Sequence, residues 1–436
     1  MTAGPGSGVP VILVSAYDGD PAEERARMEE LAELSLSAGA RVVGSMMQRR
    51  PRDAGPLLLG KGKLAELGGM CRKLGAAAAV IRQDLTPPQQ KHIEDSLPCA
   101  VVDRTALILD IFSRHARSRE GKLQVELARL MYRLPRLRGR GREMSRLGGA
   151  GRTAGGGVGG ARFTRGPGEQ ELEYGKRRVR DRISRLKKEI EDLRSRRSHQ
   201  REKRRDRAMP SVVLVGYTNA GKSTLFKGLT RRATLVRQQM FSTLDPKSSL
   251  VRLPGGGRAL ISDTVGFISD LPGNLRVAFR ATLEEMAEAD ALIHVVDSSS
   301  PVFAEQVRTV IGEVAELGAA EVPRLTVFNK EDLSGHTAAV LRAMEAGEPG
   351  AVIASAREGT GLDAAMERLE QLLRETYWKK VTWESPSGEI RAELVRLGAS
   401  FKESPGGREG DEGPIEAWVS SAQAARLAGI SGGEAK

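Results

Sequence analysis

Eight consecutive residues, Gly216, Tyr217, Thr218, Asn219, Ala220, Gly221, Lys222 and Ser223, have the types and spacing of a loop that wraps phosphate. Glycines at both ends let the backbone curl until successive amides point inward at a β-phosphate. The Lys222 ammonium then reaches the β- and γ-phosphates, and the Ser223 hydroxyl is a ligand for Mg²⁺. The apolar run Val212 to Val215 precedes the loop and a helix-like stretch follows it, which is the strand–loop–helix setting the motif requires, and Thr224 is expected to bind the nucleotide with the loop.

Further elements follow in a workable order. Asp263, Thr264, Val265 and Gly266 close the apolar run Ala259 to Ile261, where Asp263 can hold Mg²⁺ and the Gly266 amide can meet a γ-phosphate. Between them lie Phe241, Ser242, Thr243, Leu244 and Asp245, and Thr243 is the candidate for a second Mg²⁺ ligand made only when the γ-phosphate is present. Asn329, Lys330, Glu331 and Asp332 come after the strand-like Arg324 to Phe328. The Asp332 carboxylate can accept the ring N–H and the exocyclic amine of guanine together, a pairing adenine lacks. Asn329 could read the other edge of the base and Lys330 could lay its stem on it. Ser355, Ala356 and Arg357, after Ala351 to Ile353, could offer a backbone amide to the guanine oxygen. The ligands expected are therefore GTP or GDP with Mg²⁺. Lys222, Thr243, Gly266 and Asn219 are the residues expected to carry hydrolysis. Phe267 stands where many GTPases carry a water-positioning glutamine, so hydrolysis should be slow without a partner. Two readings of Asn219 stay open: it helps hold a potassium ion, as in several GTPases lacking that glutamine, or it only orders the loop backbone.

Elements must position these residues, and the 436-residue chain has room for about three domains. From Val9 to Ala116, apolar runs (Val11 to Val14, Arg41 to Met47, Ala76 to Ile81, Ala100 to Val102) alternate with helix-like stretches such as Pro21 to Ser37 and Pro87 to Ser96. That alternation predicts βαβ units and a small parallel sheet. Leu123, Leu127, Leu130, Met131 and Leu134 make a helical stripe, and Leu172, Val179, Ile183, Leu186, Ile190 and Leu193 a heptad seam. Between the two, residues 148–168 hold ten glycines. An antiparallel helical hairpin with a glycine-rich tip is expected. After Tyr377 comes a small β-rich domain: a strand-like run from Glu389 to Phe401, an alternating run at Ile415, Ala417 and Val419, and a helix at Ala422 to Ala428. Trp383 and Trp418 are expected as core residues there. The α/β chain thus divides into an N-terminal domain (1–117), a basic hairpin (118–208), a nucleotide domain (209–377) and a C-terminal domain (378–436).

Charge is unevenly placed. Residues 114–207 carry a net +18 against +12 for the whole chain, so the remainder is net acidic. A lone charge run is usually a solvated face, but two basic helices and a basic tip together predict phosphate-rich partners. With aromatics at 4%, contact through backbone charge is favoured over base stacking. Cys71 and Cys99 have no ligand-spaced neighbours and read as reduced thiols rather than a disulfide or zinc framework. No leader or transmembrane-length run is evident, and a soluble, cytoplasmic monomer is expected.

The strings Gly216 to Ser223, Phe241-Ser-Thr-Leu-Asp-Pro246 and Asp263-Thr-Val-Gly-Phe-Ile268 resemble the HflX family of translational GTPases. The resemblance extends to Leu59-Gly-Lys-Gly-Lys-Leu64, Asp103-Arg-Thr-Ala-Leu-Ile-Leu-Asp-Ile-Phe112 and Thr164-Arg-Gly-Pro-Gly-Glu169, and so covers the chain up to Tyr377. After Glu169 the family usually continues Thr-Gln-Leu-Glu, whereas this chain reads Gln-Glu-Leu-Glu. The resemblance implies a GTPase bound to the large ribosomal subunit that in some members separates stalled ribosomes, its basic hairpin entering ribosomal RNA near the peptidyl-transferase region. It also implies ATP binding by the N-terminal domain. Lys61 and Lys63 lack phosphate-loop spacing and read instead as a turn and a helix start.

Overall fold

The computed structural model describes residues 8–50, 57–137, 167–205, 209–230, 247–268, 273, 275–278, 285–348, 350–383, 387–397, 399–403 and 414–430. Residues Phe241 to Asp245, with Thr243, and most of the glycine tract lie outside them. The chain forms two compact units, Met1–Glu191 with Pro272–Ala278, and Asp192–Leu271 with Phe279–Lys436.

The first unit is built on a four-stranded sheet. β1 (Val9–Tyr17), β2 (Ala40–Arg49), β3 (Ala78–Ile81) and β4 (Ala100–Asp103) are ordered β2-β1-β3-β4 with every pair parallel. Parallel strands need crossovers, and the helices α1 (Pro21–Ser37), α2 (Lys61–Leu74) and α3 (Pro87–Glu94) supply them. Side chains start two of them: Asp20 accepts from the Ala22 amide ahead of α1, and Thr86 and Gln89 form a reciprocal capping box on α3. Lys61 opens α2, as its turn-and-helix reading predicts. Ile12, Val14, Leu67, Ile81 and Ile93 fill the core between strands and helices.

Two further helices, α4 (Arg104–His115) and α5 (Arg119–Arg136), follow β4. Asp103 organises this corner. Its side chain caps α4 through the Ala106 amide (2.8 Å) and accepts from Tyr132 Oη (2.9 Å) and Arg136 Nη2 (2.8 Å) at the end of α5. Burial raises the Asp103 carboxyl above its ordinary range, and these bonds act against the rise. The long helix α6 (Pro167–Arg205) starts at a proline, a residue suited to a first turn. Of its heptad seam, Leu186 and Ile190 are buried and Val179, Ile183 and Leu193 half-buried. Arg182 Nε and Nη2 grip both Glu126 oxygens at 2.8 and 2.9 Å, which ties α6 to α5.

In the second unit, β5 (Ser211–Gly216), β6 (Lys247–Arg252), β7 (Arg258–Asp263), β8 (Ala291–Asp297), β9 (Arg324–Asn329) and β10 (Val352–Ile353) form a sheet ordered β10-β9-β8-β5-β7-β6. Only β6, at an edge, runs antiparallel to its neighbour. Around it lie α7 (Lys222–Thr230), α8 (Phe303–Glu316), α9 (Glu331–Ser334), α10 (His336–Glu345) and α11 (Leu362–Thr376). Near-continuous apolar strands such as Val212 to Val215 are what a sheet covered on both faces demands.

The tail forms a three-stranded antiparallel sheet of β11 (Lys379–Trp383), β12 (Ser400–Glu403) and β13 (Ile415–Val419), order β11-β13-β12, with α12 (Gly388–Leu397) and α13 (Ser421–Ile430). One expectation fails here. The run read as a strand from Glu389 to Phe401 is mostly the helix α12, so the tail carries two helices. Ile390, Leu394 and Leu397 are spaced four and three apart, a helical period that buries Ile390 and Leu394 on one side. Trp383 is a core residue, while Trp418 is half-buried under the Arg374 guanidinium, 4.1 Å from its ring centre.

Candidate guanine-nucleotide site

Strands β5, β7, β8, β9 and β10 are parallel, so their C-terminal ends share one edge. Every described motif of the candidate site leaves from that edge, the usual place for a ligand in an open α/β sheet. Gly216 ends β5, Asp263 ends β7, Asn329 ends β9, and Ser355 follows β10.

The phosphate loop is strapped to the segment after β7. The Thr218 amide donates to the Phe267 carbonyl at 2.6 Å, and the Phe267 amide donates to the Gly216 carbonyl at 3.0 Å. The Phe267 ring, 2% exposed, is turned into the core. This side chain cannot orient an attacking water. Gly266 is held so close to the loop that a Cβ there would stand 2.7 Å from Lys222 Nζ and 3.0 Å from Thr218 Cα, so no larger residue fits without displacing the lysine. Thr264 Oγ1 donates to the Leu214 carbonyl (2.7 Å), and Val265 is buried.

Lys222 Nζ donates to the carbonyls of Gly216 (3.0 Å) and Tyr217 (2.8 Å), folded over its own loop. Burial pushes its ammonium down to about 8, with Asp263 acting in the opposite direction. Beside it the Thr218 hydroxyl oxygen is buried and, among the described residues, has no hydrogen-bond partner. A concave loop of amides, a buried ammonium and an unsatisfied hydroxyl suit a polyphosphate. Ser223 Oγ donates to Asp263 Oδ2 at 2.8 Å, which brings a hydroxyl and a carboxylate to one point. This pair of hard oxygen donors fits Mg²⁺. Asn219 is exposed and has φ 63°, a conformation asparagine tolerates better than most residues.

The base-reading loops are joined by Asn329, and in a way the sequence does not announce. Its Nδ2 donates to the Ala220 carbonyl and its Oδ1 accepts from the Ala356 amide, each at 2.8 Å. The side chain is only 2% exposed and links the phosphate loop to the loop after β10. This geometry gives Asn329 a positioning role beside the base contact the sequence suggests, since one of its two Nδ2 hydrogens is left for the base, and it engages the Ala356 amide expected at the guanine oxygen. Gly221, at φ 94°, leaves room for this bridge, since a Cβ there would overlap Asn329 Nδ2. Asp332 Oδ1 accepts from Ser355 Oγ (2.7 Å), which aims the carboxylate. Lys330 adopts φ 67° and its ammonium pairs with Asp297 Oδ2 at 2.7 Å, which holds the aliphatic stem in place. Asp297, at the end of β8, is a site residue that sequence reasoning missed; its place at a strand terminus was the available signal. The Glu331 carboxylate accepts from Thr360 Oγ1 and pairs with His336. Its carboxyl is held below the usual range by hydrogen bonds from Thr360 and then His336. Arg357 and Thr224 lie beside the site, exposed and half-buried respectively.

Comparisons with known proteins give the family. Residues 25–113 match a family model described as GTP-binding GTPase N-terminal, residues 115–204 one described as GTP-binding GTPase middle region, and residues 211–330 one described as 50S ribosome-binding GTPase. GTPase HflX of Caldanaerobacter subterraneus subsp. tengcongensis is 43% identical over 355 residues, 81% of this chain and 79% of that one. The chain belongs to the HflX family of GTPases. HflX of Lacrimispora saccharolytica is 40% identical over 90% of both chains, and HflX of Escherichia coli 35% identical over 86% of both. Among solved structures, a GTP-binding protein of Sulfolobus solfataricus in complex with GDP has 25% identity and a TM-score of 0.45, covering 84% of this chain and 99% of that one. As an HflX-family member, the chain is a GTP-binding protein.

Proposed function

We propose that this HflX-family protein is a GTP-hydrolysing switch that binds the large ribosomal subunit and splits or rescues stalled ribosomes. The observation that carries the reading is the similarity of residues 211–330 to the 50S ribosome-binding GTPase family. The net +18 of residues 114–207 supports it, because neutralising several phosphates releases counterions and gives strong, sequence-tolerant binding to RNA. In this reading residues 1–117 and 378–436 flank a basic hairpin (118–208) and a G domain (209–377), and the protein works as a cytoplasmic monomer. Among the described residues, no helix is long and apolar enough to cross a membrane.

At the site, Lys222 neutralises the β- and γ-phosphates, and the Gly266 amide meets the γ-phosphate. Ser223 and Asp263, joined by Thr243 in the GTP state, would hold Mg²⁺, which would supply charge neutralisation for the phosphates. Asp332 selects guanine. The inward-turned Phe267 leaves no side chain on that segment to orient water, so turnover depends on a partner, and such a contribution is worth about 10³ to 10⁵ in rate. Asn219 is exposed on the phosphate loop, where it can help hold K⁺. Equal GTP turnover in potassium and sodium buffers would remove that role and leave Asn219 its backbone function.

Sucrose-gradient sedimentation of mature ribosomes with the protein and GTP, or a non-hydrolysable analogue, tests the splitting activity. Free subunits should accumulate at the expense of monosomes. Persistent monosomes together with binding to precursor subunits would favour a subunit-assembly GTPase instead. Binding to RNA without any ribosome-stimulated turnover would favour an RNA-binding module with a structural nucleotide.

A further inference from the structure

The two cysteines of the chain meet inside the first unit. Cys71 lies on α2 and Cys99 immediately precedes β4, and their sulfur atoms are 3.2 Å apart. Their carriers are packed closely: a Cβ built on Gly68, one turn before Cys71, would lie 3.7 Å from the Ser96 carbonyl oxygen and 3.9 Å from Leu97 and Pro98. Cys71 is a core residue beside Leu67 and Ile93, whereas Cys99 is half-buried. Among the described residues, no cluster of three or more histidine, cysteine or carboxylate side chains could make the pair part of a metal site.

We propose that Cys71 and Cys99 are a reversible oxidation site, closing to an intramolecular disulfide when a peroxide reaches Cys99. A disulfide needs its sulfurs about 2.05 Å apart, so the pair must close by only about 1 Å. The Cys99 thiolate attacks one peroxide oxygen. The O–O bond breaks, Cys99 becomes a sulfenic acid, and the other oxygen leaves as water after protonation. The Cys71 sulfur then attacks the Cys99 sulfur, the S–O bond breaks, and the hydroxyl leaves with the Cys71 proton as a second water. In sum, two thiols and one hydrogen peroxide give one disulfide and two waters. Burial, and then the hydrogen bond from Cys99, push the Cys71 thiol up to about 12, which agrees with Cys99 as the sulfur that meets oxidant first and Cys71 as the one that resolves it. The bond would close residues 71–99 into a loop and restrict the unfolded chain.

Intact-mass measurement of the full-length, reduced protein before and after hydrogen peroxide tests the proposal. The expected product is a monomer lighter by two hydrogens. Proteolytic fragments containing Cys71 and Cys99 should be joined, and dithiothreitol should restore the original mass. Cys71→Ser should leave Cys99 carrying one oxygen that a sulfenic-acid probe such as dimedone traps. The oxidised wild type should also unfold at a higher urea concentration than the reduced protein. Oxygen addition without a joined fragment pair, a cross-link between two chains on a non-reducing gel, no change in mass, or a lowered urea midpoint would each overturn it.

Discussion

Lys222 shows how far one buried charge depends on its ligand. Folded onto the Gly216 and Tyr217 carbonyls and depressed to about 8, it is partly neutral above that pH in the empty site. A polyphosphate favours the ammonium, so binding draws in a proton once the empty-site value is passed. GTP affinity should therefore fall as pH rises above 8, and calorimetry at pH 8.5 in buffers of different ionisation enthalpy should show proton uptake that is absent at pH 6.5. Asp332 makes a separate prediction. An amide in place of its carboxylate cannot accept both guanine donors, but it can donate to the second carbonyl of xanthine. Asp332→Asn should weaken GTP binding by about 10- to 100-fold, the value of one bidentate base contact, and should strengthen XTP binding in the same titration. Unchanged GTP affinity would remove Asp332 from the base-reading role. Both residues stand out in the sequence because short motifs specify their type and spacing. The bridge that Asn329 makes between Ala220 and Ala356 was not legible, since it joins segments more than a hundred residues apart. Asp297 was missed for a related reason: it acts on Lys330 and belongs to no short motif.

Elements were legible where periodicity was clean. The alternating runs and helix-like stretches of the first hundred residues correspond to β1–β4 and α1–α3, with α1 running from Pro21 to Ser37 as its cap and proline indicate. The antiparallel edge strand β6, with buried Ser249 and Val251 and exposed Leu250, carries an inverted pattern that hydropathy alone does not expose. The tail misled for another reason. Leu394, Val395 and Leu397 are apolar enough to suggest a strand, yet Val395 is 61% exposed and the helical spacing of Ile390, Leu394 and Leu397 prevails. The hairpin reading also makes an element-scale prediction. Deleting residues 148–168 should weaken binding to ribosomal subunits by ten-fold or more, about what losing several phosphate contacts implies, and should flatten its salt dependence. GTP affinity should stay nearly intact. Loss of GTP binding in this variant would contradict the division of labour between tract and site.

At the scale of the molecule, charge and chemistry are separated along the chain. Residues 114–207 hold all of the net positive charge, while the nucleotide machinery, from Gly216 to Arg357, lies wholly in the second unit. That separation suits a switch whose RNA grip and nucleotide state are distinct parts, each conditioned by the other only when both ligands are present. In the proposed function the inward-turned Phe267 gives the second part its dependence, because a phenylalanine in the place of a water-positioning glutamine leaves that task to a partner. The account is tested most directly by multiple-turnover GTP hydrolysis with and without purified large ribosomal subunits, with Lys222→Ala as the control. It predicts slow turnover alone, acceleration of about 10³-fold or more by the subunits, and loss of that acceleration in Lys222→Ala. Turnover that is equally fast without subunits, or unaffected by them, would contradict it.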